Sequence, residues 1–131
     1  MLNTFMIYGH GIDLVHLHRF YEMDDSRIQK LANRILTTAE YNVFSELKFH
    51  QKTDHLAKMW AAKEAISKAF KTGIRDDVVW KNMQIQNDTM GSPGVTLLNE
   101  LSTNNVVCHL SISHDGDYVM ASVILEKENA L

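Results

Sequence analysis

The apolar positions of the first half of the chain fall mostly at helical spacing, and those of the second half mostly at alternating spacing. Phe5 to Val15 comes first and reads as a strand. Met6, Tyr8, Ile12 and Leu14 share one parity, and Ile7, Gly9, Gly11, Asp13 and Val15 the other. A face carrying two glycines in line with an aspartate leaves room for a ligand or another backbone to approach, although a β-bulge with a capping Asp would carry the same residues. Asp24-Asp25-Ser26 then precedes a helix whose stripe is Ile28, Leu31, Ala32 and Ile35. A shorter helix starts at Thr37 or Thr38, with Glu40 in its first turn and Tyr41, Phe44 and Leu47 facing inward.

Thr53 or Asp54 caps a long helix running to about Phe70, with Gly73 as its stop. Ala57, Ala61, Ala62, Ala65 and Ala69 join Leu56, Met59, Trp60, Ile66 and Phe70, so this helix is apolar over most of its circumference and reads as the central one. Short strands follow at Val78 to Trp80, Met83 to Asn87, Gly94 to Leu98, Val106 to Ser113 and Tyr118 to Glu126. Turn signals stand at Gly91-Ser92-Pro93-Gly94 and at Asp115-Gly116, the second joining the last two strands into a hairpin. Helices early and strands late predict an α+β fold, an antiparallel sheet packed on a long central helix.

Composition narrows the picture. A chain of 131 residues, 45% hydrophobic, suits one domain over residues 1–131, and no apolar run is long enough to span a bilayer. The start, Met1-Leu2-Asn3-Thr4, has no signal-peptide pattern, which predicts a cytoplasmic protein. Cys108 is the single cysteine and is expected as a buried, reduced thiol. A net charge of −3 gives no reason to expect nucleic acid or membrane as partner. Cations nevertheless gather along Arg19 to Arg34 and again along Lys58 to Arg75, two local surfaces for anionic partners or two ordinary solvated helix faces.

The chemistry concentrates in Lys63 to Phe70. Glu64 and Lys68 are four apart on one helical face, which Trp60, Ser67 and Lys71 extend. That face suits a metal ion beside phosphate oxygens, and equally a solvated ion pair worth a few tenths of a kcal/mol. Near the end, His114 continues the apolar parity of its strand. The other six histidines show no metal-ligand spacing, His16 with His18 being only a weak pair.

Gly11-Ile12-Asp13-Leu14-Val15 with Arg19, the run from Leu56 to Phe70 that includes Trp60-Ala61-Ala62-Lys63-Glu64-Ala65, Thr72-Gly73-Ile74-Arg75, and Ser111-Ile112-Ser113-His114 occur in this order. Together they resemble the holo-acyl-carrier-protein synthases, short bacterial 4′-phosphopantetheinyl transferases, over most of the chain. The resemblance implies transfer of the phosphopantetheine arm of coenzyme A to a serine of an acidic apo acyl carrier protein, with adenosine 3′,5′-bisphosphate as the other product and fatty acid biosynthesis as the context.

It also implies that Asp13 and Glu64 hold Mg²⁺, that Lys63, Lys68, Gly73 and His114 contact coenzyme A, and that the serine proton goes to Glu64, a metal-bound water or His114. Arg19, Arg27, Lys30 and Arg34 are the expected carrier-docking surface. A homotrimer with shared active sites is expected, which would explain the clearance along the Asp13 strand. Two positions depart from the family: Met59 stands where a basic residue is common, and Ser92 where a lysine often stands. The competing readings are a non-enzymatic adaptor for an acidic protein and a transferase serving a polyketide or peptide synthetase carrier.

Overall fold

A computed structural model describes residues 3–130, with side chains from Thr4 to Glu128; Met1 and Leu2, which entered the signal-peptide argument, lie outside them. The chain begins with strand β1 (Asn3–His16) and continues through helices α1 (His18–Tyr21), α2 (Asp25–Ile35), α3 (Thr38–Ser45) and α4 (Phe49–Ala69). Strands β2 (Met83–Asn87), β3 (Pro93–Leu97), β4 (Val106–Asp115) and β5 (Tyr118–Ala130) follow. The α+β expectation holds. The strands form an antiparallel three-stranded sheet in the order β1-β5-β4 and a separate β2-β3 hairpin.

One face of the larger sheet carries α4. Val119, Ala121, Val123 and Leu125 of β5 alternate inward and are fully buried, and they meet Ala61, Ala62, Ala65 and Ala69 of α4, also fully buried. Small residues on the helix and none at all on part of β1 permit close contact. A Cβ on Gly9 would overlap the Ala69 carbonyl, and one on Gly11 would overlap that of Ala65. The clearance along β1 is thus filled by the backbone of α4 in the same chain, rather than reserved for another subunit. A register shift between Ile7 and Gly9 marks a bulge, and Tyr8 there packs edge-on against Phe70.

Local signals account for most boundaries. The Asp24 side chain accepts from the Arg27 amide at 2.9 Å and starts α2. Thr37 and Glu40 form a capping box at the head of α3. Helix α4, however, begins at Phe49, not at Thr53 or Asp54. The Gln51 side chain accepts from the Lys48 amide at 3.1 Å and satisfies the entry to an extra turn, while Thr53 turns its hydroxyl back onto the Phe49 carbonyl. Asp54 instead accepts from the Tyr21 hydroxyl at 2.8 Å. Val78 to Trp80 is no strand: Val78 makes one isolated bridge to Arg75, and Trp80 opens a 3₁₀ turn whose indole lies 4.8 Å from that of Trp60. The Asn82 side chain, donating to the Asp77 carbonyl at 2.8 Å, holds that loop out of the sheet.

Candidate active site

The contact of β1 with α4 also builds the site. With Gly9 and Gly11 lying under the helix, Asp13 is the next residue of that face, and it meets α4 where Lys68 projects. Lys68 Nζ donates to Asp13 Oδ1 and to the Ile12 carbonyl, both at 3.0 Å. Glu64 stands one turn earlier on the same side of the helix. Its carboxyl is pushed up from the usual carboxylate range, first by partial burial and then by the charge of Asp13, while Lys68 and Arg19 pull it back. Arg19, on α1, lies with its guanidinium 5.9 Å from the ring centre of Trp60.

The structure therefore gathers Asp13, Glu64, Lys68 and Arg19, two carboxylates and two cations supplied by a strand and two helices. The donor chemistry suits Mg²⁺. Hard carboxylate oxygens from one or two side chains, with the other positions left to water and phosphate, are what this ion takes, and mutual repulsion between Asp13 and Glu64 is relieved by a divalent cation between them. Lys68 is half-exposed, so its present pairing with Asp13 contributes little to stability and leaves the ammonium accessible.

Lys63 does not belong to this group. It is fully buried, and its three donors are all used: on the Ile35 carbonyl at 2.6 Å, on Glu40 Oε1 at 2.7 Å and on the Trp80 carbonyl at 2.9 Å. Glu40 completes the network by accepting from the Thr37 amide at 2.8 Å and, through its other oxygen, from the Ile85 amide at 2.7 Å. Successive helical residues point about 100° apart, so the neighbour of an outward Glu64 turns into the core. The expectation that Lys63 contacts coenzyme A is corrected: it ties α4 to the end of α2, to α3 and to the loop before β2. Burial lowers its pKa, and Glu40 opposes that shift.

Two further candidates stand apart. Gly73, in the left-handed region at φ 67°, donates its amide to the Ser67 carbonyl at 3.2 Å, which is the work of a helix stop. His114 pairs with Val119 on β4 and is exposed. It shares the helix-covered side of the sheet with Asp13 but lies on the far strand, and no contact joins it to Asp13 or Glu64 among the described residues. Arg27, Lys30 and Arg34 do share one exposed face of α2, where they surround a shallow depression with Met23 and Leu31.

The family model for the 4′-phosphopantetheinyl transferase superfamily matches residues 9–123, a span that contains Asp13, Glu64 and Lys68. The chain belongs to that superfamily. Holo-[acyl-carrier-protein] synthases of two Bacillus cereus strains, G9842 and B4264, are 40% and 42% identical to it over 124 residues, covering 95% of this chain and 99% of each relative. Among solved structures, the holo-(acyl-carrier-protein) synthase of Bacillus anthracis in complex with CoA (3′,5′-ADP) superposes with a TM-score of 0.81 at 38% identity, covering 93% of this chain and 98% of that one. The Neisseria meningitidis enzyme gives 0.84 at 38% identity, covering 93% and 100%. The assignment to the holo-acyl-carrier-protein synthases stands, and with it the enzymatic class, a 4′-phosphopantetheinyl transferase.

Against that family background the two departures take physical form. Met59 is nearly buried and packs with the core, in a cavity wall shared with Ala39, Val43, His55 and Ile85. Burial, and then the nearby Lys58, lower the pKa of His55 on the same wall, while Glu40 opposes the shift. Ser92 sits in the exposed turn before β3, its amide donating to Asp88 Oδ1 at 2.9 Å. Both positions serve local structure in this chain.

Proposed function

We propose that this transferase moves 4′-phosphopantetheine from coenzyme A to a serine of an apo acyl carrier protein, with Mg²⁺ and in the cytoplasm, for fatty acid biosynthesis. The observation that carries the proposal is the meeting of Asp13 and Glu64 at the β1–α4 contact, with Lys68 and Arg19 beside them. In the reaction, the serine oxygen bonds to the phosphorus bearing pantetheine while that phosphorus loses its bond to the bridging oxygen, which leaves with adenosine 3′,5′-bisphosphate. Asp13 and Glu64 would hold the metal; bound there, Mg²⁺ would neutralise pyrophosphate charge and favour departure of the bisphosphate.

Lys68 exchanges its contact with Asp13 for a phosphate oxygen, and Arg19 adds positive charge at the mouth of the site. Glu64 is one candidate acceptor for the serine proton, and partial burial and the charge of Asp13 favour its protonated form. Arg27, Lys30 and Arg34 offer an acidic carrier a surface with no ion pairs of its own among the described residues. Incubation with coenzyme A, Mg²⁺ and apo carrier tests the proposal: the carrier gains the mass of one phosphopantetheine, and Asp13→Ala or Glu64→Gln stops the gain while leaving the fold intact. Near-normal turnover of either variant at saturating Mg²⁺ rejects the assignment.

A homotrimer completes the proposal. The sheet face opposite α4 exposes Ile7, Ile12, Leu14, Val107 and Ile124, 40–69% accessible, which supports burial against further copies of this chain. Leu14→Lys, read by sedimentation, separates the subunits if this face is the contact; an unchanged assembly excludes it.

A further inference from the structure

The hairpin turn between β4 and β5 brings an aspartate to the weak histidine pair that follows the active-site strand. His16, His18 and Asp117 each offer one ligand atom, and these atoms all lie within 4.8 Å of one another. Sequence alone could not show this, because Asp117 is about a hundred positions away.

The arrangement is held from both sides. Leu17, between the two histidines, donates its amide to the Asp117 carbonyl at 2.7 Å, so the chain carrying both imidazoles is tied to the residue carrying the carboxylate. His16 stacks on Tyr118 at 4.7 Å, and His18 meets the edge of Tyr21 at 5.9 Å. The two imidazoles lie 4.7 Å apart by ring centres. His18 Nε2 and Asp117 Oδ2 are separated by 3.5 Å. That is long for a hydrogen bond and close to the edge of a tetrahedron around zinc, about 3.3 Å for bonds of roughly 2.0–2.1 Å.

We propose that His16, His18 and Asp117 form a three-ligand site for Zn²⁺ or a similar borderline divalent transition metal, separate from the Mg²⁺ pair at Asp13 and Glu64. Two imidazoles and one carboxylate select such an ion over Mg²⁺, which takes oxygen ligands. His18 and Asp117 are more than half exposed, so their side chains close the remaining gap by rotation without moving the core. Three protein ligands leave a fourth position for water or an anion. The bound ion fixes the junction of β1 with α1, and Arg19 is the next residue after His18.

The test uses untagged, metal-depleted protein in excess Mg²⁺. On titration with Zn²⁺, the ring resonances of His16 and His18 shift and saturate near one equivalent, and the melting temperature rises. His18→Ala and Asp117→Asn each weaken zinc binding by more than the ~10–100-fold that loss of an outer partner of a ligand costs, and each removes the rise in melting temperature. The two substituted side chains, His18 and Asp117, are exposed, so circular dichroism of the variants without zinc matches the parent. Zinc affinity unchanged in both variants, or histidine rings that do not respond at one equivalent, overturns the site.

Discussion

Replacing Lys63 with methionine separates the two roles that its position in the Lys63-Glu64 pair allows. Methionine keeps the length of the side chain and removes the ammonium. Three hydrogen bonds vanish at once: the carbonyls of Ile35 and Trp80 lose their donor, and Glu40 is left in the core with only the Thr37 and Ile85 amides to hold its charge. Removing one partner of a buried ion pair costs about 3–5 kcal/mol, much of it from the stranded charge. Against a typical total of ~5–15 kcal/mol, the loss is large, and for a chain of this size it lowers the melting midpoint by roughly 10–20 °C.

Urea unfolding at one protein concentration measures it as a lower midpoint with an unchanged slope. Adding Glu40→Gln removes the stranded charge, so the double variant recovers part of the loss and the two substitutions are strongly non-additive. Coenzyme A affinity, measured well below the new midpoint, stays close to that of the parent. A stability loss under ~1 kcal/mol, a value at which ordinary surface pairs fall, combined with weakened coenzyme A binding, would refute the assignment of Lys63 to the core.

The other expectations concern the site and its surroundings. Glu64 holds its proton more tightly folded than unfolded, so its contribution favours the folded state below its ordinary value of 4.5 and is lost as pH rises through the raised value. Its charged, metal-competent form appears correspondingly late; Lys68→Met removes an opposing cation and moves the carboxyl higher still, and a carbon-detected titration showing no rise would contradict that. Gly11→Ala puts a methyl into the Ala65 carbonyl of a helix that cannot retreat from the sheet, and costs ~1–3 kcal/mol by thermal or urea unfolding instead of the ~0.4–1 kcal/mol gain of an unhindered replacement. Reversing Arg27 and Arg34 to Glu raises the carrier KM and flattens its salt dependence while leaving coenzyme A affinity in place; steady-state kinetics at two ionic strengths that match the parent would move docking elsewhere.

How much could be read in the sequence follows from how local each signal is. The α3 capping box, the β2 strand and the β4–β5 hairpin depend on residues within a few positions of one another, and they stand where the sequence puts them. Glu64, Lys68 and Asp13 were legible because motif order singled them out, although neither spacing nor periodicity could say that Lys68 pairs with Asp13 instead of Glu64. Lys63 was misread because its partner is 23 positions away in another helix, and because a lysine beside a site glutamate looks the same in sequence whether it faces solvent or core. Glu40 was legible as a cap and not as the counter-ion, since one carboxylate serves both.

The placement of the site and the packing of the fold have a common origin in the two glycines of β1. An ordinary half-buried strand would hold α4 away by the length of a side chain. With Gly9 and Gly11 bare, the carbonyls of Ala69 and Ala65 approach the strand itself, and the first side chain beyond the contact is that of Asp13. A short aspartate then reaches Lys68 at 3.0 Å, and its charge is felt by Glu64. The alanines of α4 serve the same end from the other side, because a larger residue at Ala65 or Ala69 would press on the sheet that the glycines bring close. The register of glycine, glycine and aspartate at alternate positions is therefore a distance setting: it fixes how near a strand carboxylate comes to a helix carboxylate, and so whether one cation can be shared between them.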